Sequence, residues 1–129
     1  MALELQSVSR VVKGQVHIQP TTLALEKGTM NVLLGPTSAG KTSLMRLMAG
    51  LDVPTAGRIL WHGADVTGQR VQDRKVAMVY QQFINYPAMT VYDNIASPLR
   101  LMGKSAAEID RDVKSTAERS MKPALCRLE

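Results

Sequence analysis

One stretch constrains this chain more than any other: Gly35-Pro36-Thr37-Ser38-Ala39-Gly40-Lys41-Thr42. It fits G-x-x-x-x-G-K-[ST], and its neighbours suit that pattern. Before it runs Met30 to Leu34 (MNVLL), a continuous apolar segment of the kind expected for a strand covered on both faces in a parallel sheet. After it, Leu44, Leu47 and Met48 recur at helical spacing from Lys41 to Ala49, and Gly50 suits a left-handed stop. A turn between such a strand and helix gathers backbone N–H groups at the positive end of the helix, which is a phosphate-binding geometry. Gly35 and Gly40 are expected to let the backbone turn without a Cβ in the way. Lys41 would place a point charge on the β- and γ-phosphates, and the Thr42 hydroxyl would coordinate Mg²⁺. Ser43 would support the start of the helix.

The rest of the chain predicts a framework around that loop. Leu3, Leu5 and Val8 roughly alternate and predict a first strand. Val16, Ile18, Leu23 and Leu25 predict a second, broken or bulged at Pro20, with Lys13-Gly14 as the turn between them. Glu26-Lys27-Gly28 is a further turn. Arg58 to Trp61 predicts a strand closed by His62-Gly63, and Lys75 to Tyr80 (KVAMVY) a short buried one. Thr90 and Asp93 form an acidic variant of the capping box and open a helix that Pro98 should kink or end. Ser105 and Glu108 form a second box, opening a helix with Ile109, Val113 and Ala117 on one face and Pro123 as its stop. Strands that first pair locally and then alternate with helices predict an α/β fold, a P-loop NTPase core preceded by an antiparallel β portion.

Composition narrows the function classes. With 129 residues, 45% hydrophobic and 21% charged, the chain reads as ordinary globular sequence of one domain's length. No apolar run approaches roughly 18 residues, so none predicts a bilayer span, and the N-terminus lacks the pattern of a secretory signal. The single cysteine, Cys126, excludes an internal disulfide framework and is assigned no chemistry. The net charge is +5, but residues 1–34 carry +3 and −2, residues 35–103 +7 and −4, and residues 104–129 +6 and −5. The densest basic cluster, Arg70, Arg74 and Lys75, reads as a solvated surface, so no nucleic-acid partner is expected. The eight methionines are expected to fill core gaps. His17 and His62 read as surface residues beside strands and turns.

The loop alone fits small-molecule kinases, GTPases and transport ATPases. No guanine-reading N-K-x-D element is present, and no acceptor site for a kinase is visible in residues 50–103. The residues after the loop narrow the choice. Thr42 to Asp52 (TSLMRLMAGLD), Pro54 to Gly63 (PTAGRILWHG), Asp65-Val66-Thr67, Val79-Tyr80-Gln81, Tyr86-Pro87, Met89 to Ile95 (MTVYDNI) and Pro98-Leu99 together resemble the first half of an ABC-transporter ATP-binding subunit. The resemblance covers residues 3–118 and is strongest to importers of carbohydrates and polyols, with Tyr80 to Pro87 similar to glycerol-type importers. It implies that ATP and Mg²⁺ bind at residues 35–43 and that Gln81, at the Q-loop position, touches Mg²⁺ or the attacking water. On the residues alone Gln82 is equally eligible. It also implies a peripheral position on the cytoplasmic face of a membrane, a permease subunit docked around Phe83 to Ile95, and a second ATP-binding subunit in a head-to-tail dimer. Phe83, Ile84, Tyr86 and Pro87 have an alternative reading, as residues that pack beneath their own loop.

Two departures bear on that resemblance. Many relatives stack adenine on an aromatic residue near the end of the first strand, whereas Arg10 to Gly14 holds none and Val12 offers apolar contact only. The L-S-G-G-Q signature, the strand ending in Asp-Glu that supplies the water-activating carboxylate, and the later histidine do not occur in these 129 residues. The pattern fades at Arg119 to Glu129, which leads to the expectation of a truncated or frameshifted subunit: an ATPase portion over 1–118 and a divergent tail over 119–129. Such a chain is expected to bind Mg-nucleotide at most. The competing expectations are a non-catalytic interaction module or non-functional remnant docking on transporter subunits and, with less support, an unrelated P-loop kinase.

Overall fold

The computed structural model describes residues 2–82 and 84–125, with side chains up to Ser120. The chain divides into two compact units, Met1–Val79 and Tyr80–Glu129.

The first unit is built on a four-stranded antiparallel sheet. Strand β1 is Leu3–Val12, β2 is Gln15–Leu25, β3 is Ala56–Trp61 and β4 is Ala64–Asp65, in the spatial order β2-β1-β3-β4. Lys13 and Gly14, both with positive φ, close the β1–β2 hairpin, and His62 and Gly63 do the same between β3 and β4. These are the left-handed conformations that a tight hairpin turn demands. β1 bulges at Gln6–Ser7, where Ser7 has φ 48 and the pairing with both neighbours slips. Gly57, at φ 87, lies against that bulge, and a Cβ there would collide with the Ser7 backbone. Glycine is therefore required at Gly57 by both conformation and space.

Helix α1, Lys41–Ala49, buries Leu44 and Leu47 against Leu5, Val8, Ile18, Ile59 and Val66 of the sheet side. Gly50 ends it in the expected left-handed conformation, φ 81. Asp52, just beyond, ties α1 to β1. It accepts from Arg46 Nε at 2.8 Å and Arg46 Nη2 at 3.2 Å, and pairs with Arg10 of β1 at 3.4 Å. The Asp65-Val66-Thr67 stretch is also structural. Asp65 accepts from the Thr67 amide and hydroxyl, and the Thr67 oxygen accepts from the Ile59 amide.

The second unit pairs α2, Val91–Leu101, with α3, Ala106–Leu125, around Ala96, Ile109 and Val113. The Ser105 capping box forms in full, and at Thr90 the cap forms without the backbone return bond, the Thr90 hydroxyl instead donating to the Asp93 carboxylate. The Thr90 oxygen accepts from the Asp93 amide at 3.1 Å, and Ser105 and Glu108 exchange bonds, the Ser105 amide donating to Glu108 at 3.0 Å.

Several expectations require correction. Neither Met30 to Leu34 nor Lys75 to Tyr80 is a strand: both are unpaired, Lys75 lies in a turn at φ 50, and Met30 and Val79 are each 92% exposed. A central parallel strand needs neighbours on its edges, and among the described residues none pairs with either segment. Pro98 does not end α2, which continues to Leu101. The Ser97 hydroxyl donates to the Asn94 carbonyl at 3.2 Å, the acceptor that Pro98, lacking an N–H, leaves open. Helix α3 likewise runs two residues past Pro123, where a single backbone bond is forfeited close to a helix end. Methionines are not uniformly core fillers: among the described residues Met48 packs against the sheet core, while Met30, Met45, Met89 and Met102 are exposed. Arg74 is not part of a solvated surface. It is 5% exposed, the buried charged residue of the described chain. Cys126 and Phe83 lie outside the described residues.

Candidate functional site

The loop from Gly35 to Gly40 joins the 30–34 segment to α1, and residues 35–39 are exposed. Two left-handed residues shape it, Ser38 at φ 71 and Gly40 at φ 85. Gly40 is the N-cap of α1 and contributes no side chain to the first turn. The first-turn amides, which have no partner inside a helix, therefore open onto the loop. A Cβ at Gly40 would sit 2.8 Å from Ile18 Cδ1 and 3.1 Å from the His17 carbonyl of β2, so the loop is pressed against the sheet there. Gly35 behaves differently. A Cβ there would make ordinary contact with Ala39 Cβ at 3.5 Å, so the turn itself does not exclude a side chain.

Lys41 folds back over the loop, its Nζ donating to the carbonyls of Gly35 and Pro36 at 2.6 Å each. This places a cation across the mouth of the loop and beside the first-turn amides. Thr42 is exposed at the second position of α1, and its hydroxyl has no hydrogen-bond partner among the described residues. Ser43 follows, half-buried. Beside the loop a cavity of about 260 Å³ is lined by Val16 to Gln19 and Thr21 of β2, by Leu33 and Leu34, and by Ala39, Gly40, Lys41 and Leu44. The donor set therefore suits an oxyanion: amides at a helix N-terminus, one ammonium, and hydroxyls at Ser38, Thr42 and Ser43. Thr42 adds a neutral oxygen of the type that a hard divalent cation takes.

Pro36, Thr37, Ser38 and Ala39 thus form one compact turn with Gly35 and Gly40, closed by the Ala39 amide donating to the Pro36 carbonyl at 3.2 Å. Gln81 belongs to the second unit, is exposed, and makes no hydrogen bond among the described residues. Farther along that unit, Ile84, Tyr86, Met89, Val91 and Tyr92 are all exposed, so they do not pack beneath their own loop. Ile95 instead packs against the α2–α3 core. Asn94 holds the turn before α2 in shape. Its carbonyl oxygen accepts from the Tyr86 amide at 2.7 Å, and its Nδ2 donates to the carbonyls of Tyr86, Met89 and Thr90.

Arg74 is the residue that sequence reasoning misread. Its guanidinium donates to the carbonyls of Leu47 and Met48 at the end of α1, of Val66 and Thr67, and of Gln69. Burial pulls its pKa below the usual arginine value, but arginine remains charged at neutral pH. A cluster of basic residues next to an aspartate carries no signal that one of them turns inward.

Residues 18–127 match the family model described as ABC transporter. Over 116 residues the chain is 40% identical to the spermidine/putrescine import ATP-binding protein PotA of Nitrosomonas europaea, covering 90% of this chain and 32% of that protein. It is 40% identical over 105 residues to the sulfate/thiosulfate import ATP-binding protein CysA of Pseudomonas syringae pv. tomato, covering 81% and 32%. It is 38% identical over 116 residues to the Fe(3+) ions import ATP-binding protein FbpC of Pasteurella multocida, covering 90% and 33%. The chain spans about a third of the length of these relatives. The fold is similar to that of the ATP-binding cassette MJ0796 in a dimeric, post-hydrolysis state bound to ADP and Pi. The TM-score is 0.75 at 22% identity, covering 88% of this chain and 54% of that one. The architecture is accordingly a partial ABC ATPase, an α/β P-loop NTPase fold with an antiparallel sheet at its N-terminal side. Among the described residues no helix is long and apolar enough to cross a membrane. On a family match that spans most of its residues, the chain belongs to the ABC transporter family.

Proposed function

We propose that this chain supplies the phosphate-holding part of an ABC importer's ATP-binding subunit, with residues 1–118 forming the N-terminal part of the ATP-binding domain. The observation that carries the reading is the exposed loop 35–40, set on the uncapped N-terminus of α1 with Lys41 folded across it. In this reading the amides of the loop and first turn hold the β- and γ-phosphates of ATP. Lys41 exchanges one or both loop carbonyls for phosphate oxygens, and Ser43 supports the helix start. Thr42 gives its hydroxyl to Mg²⁺, and Gln81 contacts the same metal or the attacking water. When bound, Mg²⁺ neutralises charge that develops on the phosphates. For these 129 residues, which contain no Asp-Glu pair, the reading extends to holding the nucleotide.

The exposed apolar residues from Ile84 to Tyr92 suit an amphipathic segment of a permease subunit, a helix-in-groove mode of docking. That contact would place the chain at the cytoplasmic face of a membrane, and a second ATP-binding subunit would complete a head-to-tail dimer. The relatives named above import polyamines, sulfate or thiosulfate, and Fe(3+). Those names give the expectation of a carbohydrate or polyol cargo no support, and cargo choice resides in other subunits.

Equilibrium binding of Mg-ATP to the chain and to Lys41→Ala tests the reading. Losing the charge-assisted contact should weaken binding about ten- to a hundredfold, from roughly 1.5–3 kcal/mol for a hydrogen bond to a charged group. Equal binding by both proteins would remove the loop from the site.

A further inference from the structure

Arg74 is bonded unlike any other cation of the described chain. It is buried, it pairs with no carboxylate among the described residues, and its five donor contacts all end on backbone carbonyls. Those carbonyls belong to two places. Leu47 and Met48 are the last turn of α1, while Val66, Thr67 and Gln69 lie on the segment that follows β4. The α1 side is fitted closely, since a Cβ on Gly50 would come 2.5 Å from Arg74 Nε. Val76 lines a small space together with Met48, Val66 and Arg74, so the chain just after Arg74 rests on the same helix end. At the far end of α1, about 13 Å away for nine residues, stands the phosphate loop.

A positive group at a helix C-terminus is favourable in itself, but a lysine or a solvent-facing arginine would satisfy that. Five carbonyls on two segments need a planar fork with donors in several directions. We propose that Arg74 is a positioning residue. It makes the C-terminal end of α1 and the 69–79 segment a single body, so that occupancy of the phosphate loop at one end of the helix is felt at residues 75–79. The inference rests on the reading of loop 35–43 as a phosphate site.

Lys75 offers a way to read the link, because it is exposed directly after Arg74 and trypsin cleaves after it. Cleavage in the folded chain follows the population of locally opened protein. Mg-ATP should slow cutting before Val76 about tenfold in the wild type, within the usual range of site-to-site coupling, and should slow cutting after Lys41 as well. In Arg74→Met, which keeps the buried volume, protection at Lys41 should persist while the effect before Val76 falls below about twofold. A merely structural role would speed cutting equally with and without nucleotide and leave the ratio unchanged. A wild-type ratio in Arg74→Met overturns the link. Arg74→Lys keeps the charge without the fork and reads independently of whether the methionine variant folds: a full wild-type ratio there also overturns it. Wild-type protection at Lys41 with none before Val76 overturns the link and leaves the phosphate site standing. No nucleotide effect at Lys41 overturns both.

Discussion

Asp52 shows how a residue that looks like linker chemistry holds the scaffold under the site. Its carboxylate takes a forked bond from Arg46 on α1 and a second cation from Arg10 on β1, whose Nη1 also donates to the Val53 carbonyl at 2.9 Å. The hydrogen bond from Arg46 is the larger cause, with Arg10 and Arg46 charge behind it, and together they outweigh burial and hold the Asp52 pKa below 3.8. The sign follows. A carboxylate with a lower pKa in the folded state contributes stability that is full above its unfolded value and is lost as pH falls through the folded value. Asp52→Asn should therefore cost about 1–2 kcal/mol near pH 7 in urea unfolding, and the gap to wild type should close as pH drops from about 5 towards 2. A gap that stays constant over that range would mean that the carboxylate charge is not what holds α1 to β1. At this scale the sequence was legible where the chemistry is local. The spacing of Gly40, Lys41 and Thr42 fixes their places relative to one another whatever lies around them. Arg74 was illegible because its partners are carbonyls, which every residue carries and no pattern announces.

Elements were legible where a side chain supplies the signal and illegible where a neighbouring backbone does. The Thr90 cap, the Ser105 capping box, the stop at Gly50 and the hairpin turns at Lys13-Gly14 and His62-Gly63 formed as their residues suggested. Met30 to Leu34 and Lys75 to Tyr80 have the composition of buried strands, but a strand exists only by pairing, and apolar composition does not say whether a partner is present. Pro98 failed as a stop because Ser97 supplies the missing donor, a compensation one residue away that a rule about proline alone overlooks. Asn94 acts on a whole segment in a similar manner, since one amide group makes four bonds to the turn at 86–90. Asn94→Ala should leave α2 largely intact, because Thr90, Asp93 and Arg100 still hold its first turn. It should also free the exposed turn, so thermolysin cleavage before Met89 should accelerate about tenfold or more, the loss of roughly two net hydrogen bonds at about 1 kcal/mol each. Unchanged cleavage with unchanged helicity would show that the turn holds its shape without that side chain.

For the molecule as a whole, the exposed apolar backbone matters more than the net charge. The +5 surplus is scattered, and among the described residues seven ion pairs engage basic side chains locally, Lys104 to Asp112 at 2.6 Å and Lys114 to Asp110 at 2.7 Å among them. Such pairs contribute about 0–1 kcal/mol each at a surface and do little to keep chains apart. Against this stands the 30–34 segment, with Met30, Val32, Leu33 and Leu34 all exposed and Leu34 at 85%. Its backbone is unpaired among the described residues, and the segment carries no charge and no proline, the composition of a strand edge that recruits other chains. The chain should therefore self-associate at micromolar concentration. Val32→Lys combined with Leu34→Lys places like charges on that edge, where association would bring them together. Sedimentation velocity should show a larger monomer fraction in the double variant at low salt, with part of the gain lost near 1 M salt as screening shortens to about 3 Å. The substitutions lie before Gly35 and leave the loop residues unchanged, but Leu34 lines the cavity beside the loop, so Mg-ATP binding should be measured on the monomer fraction of each protein. If wild type is already monomeric across that range, or if the double variant associates equally, the 30–34 edge is not the surface through which copies meet.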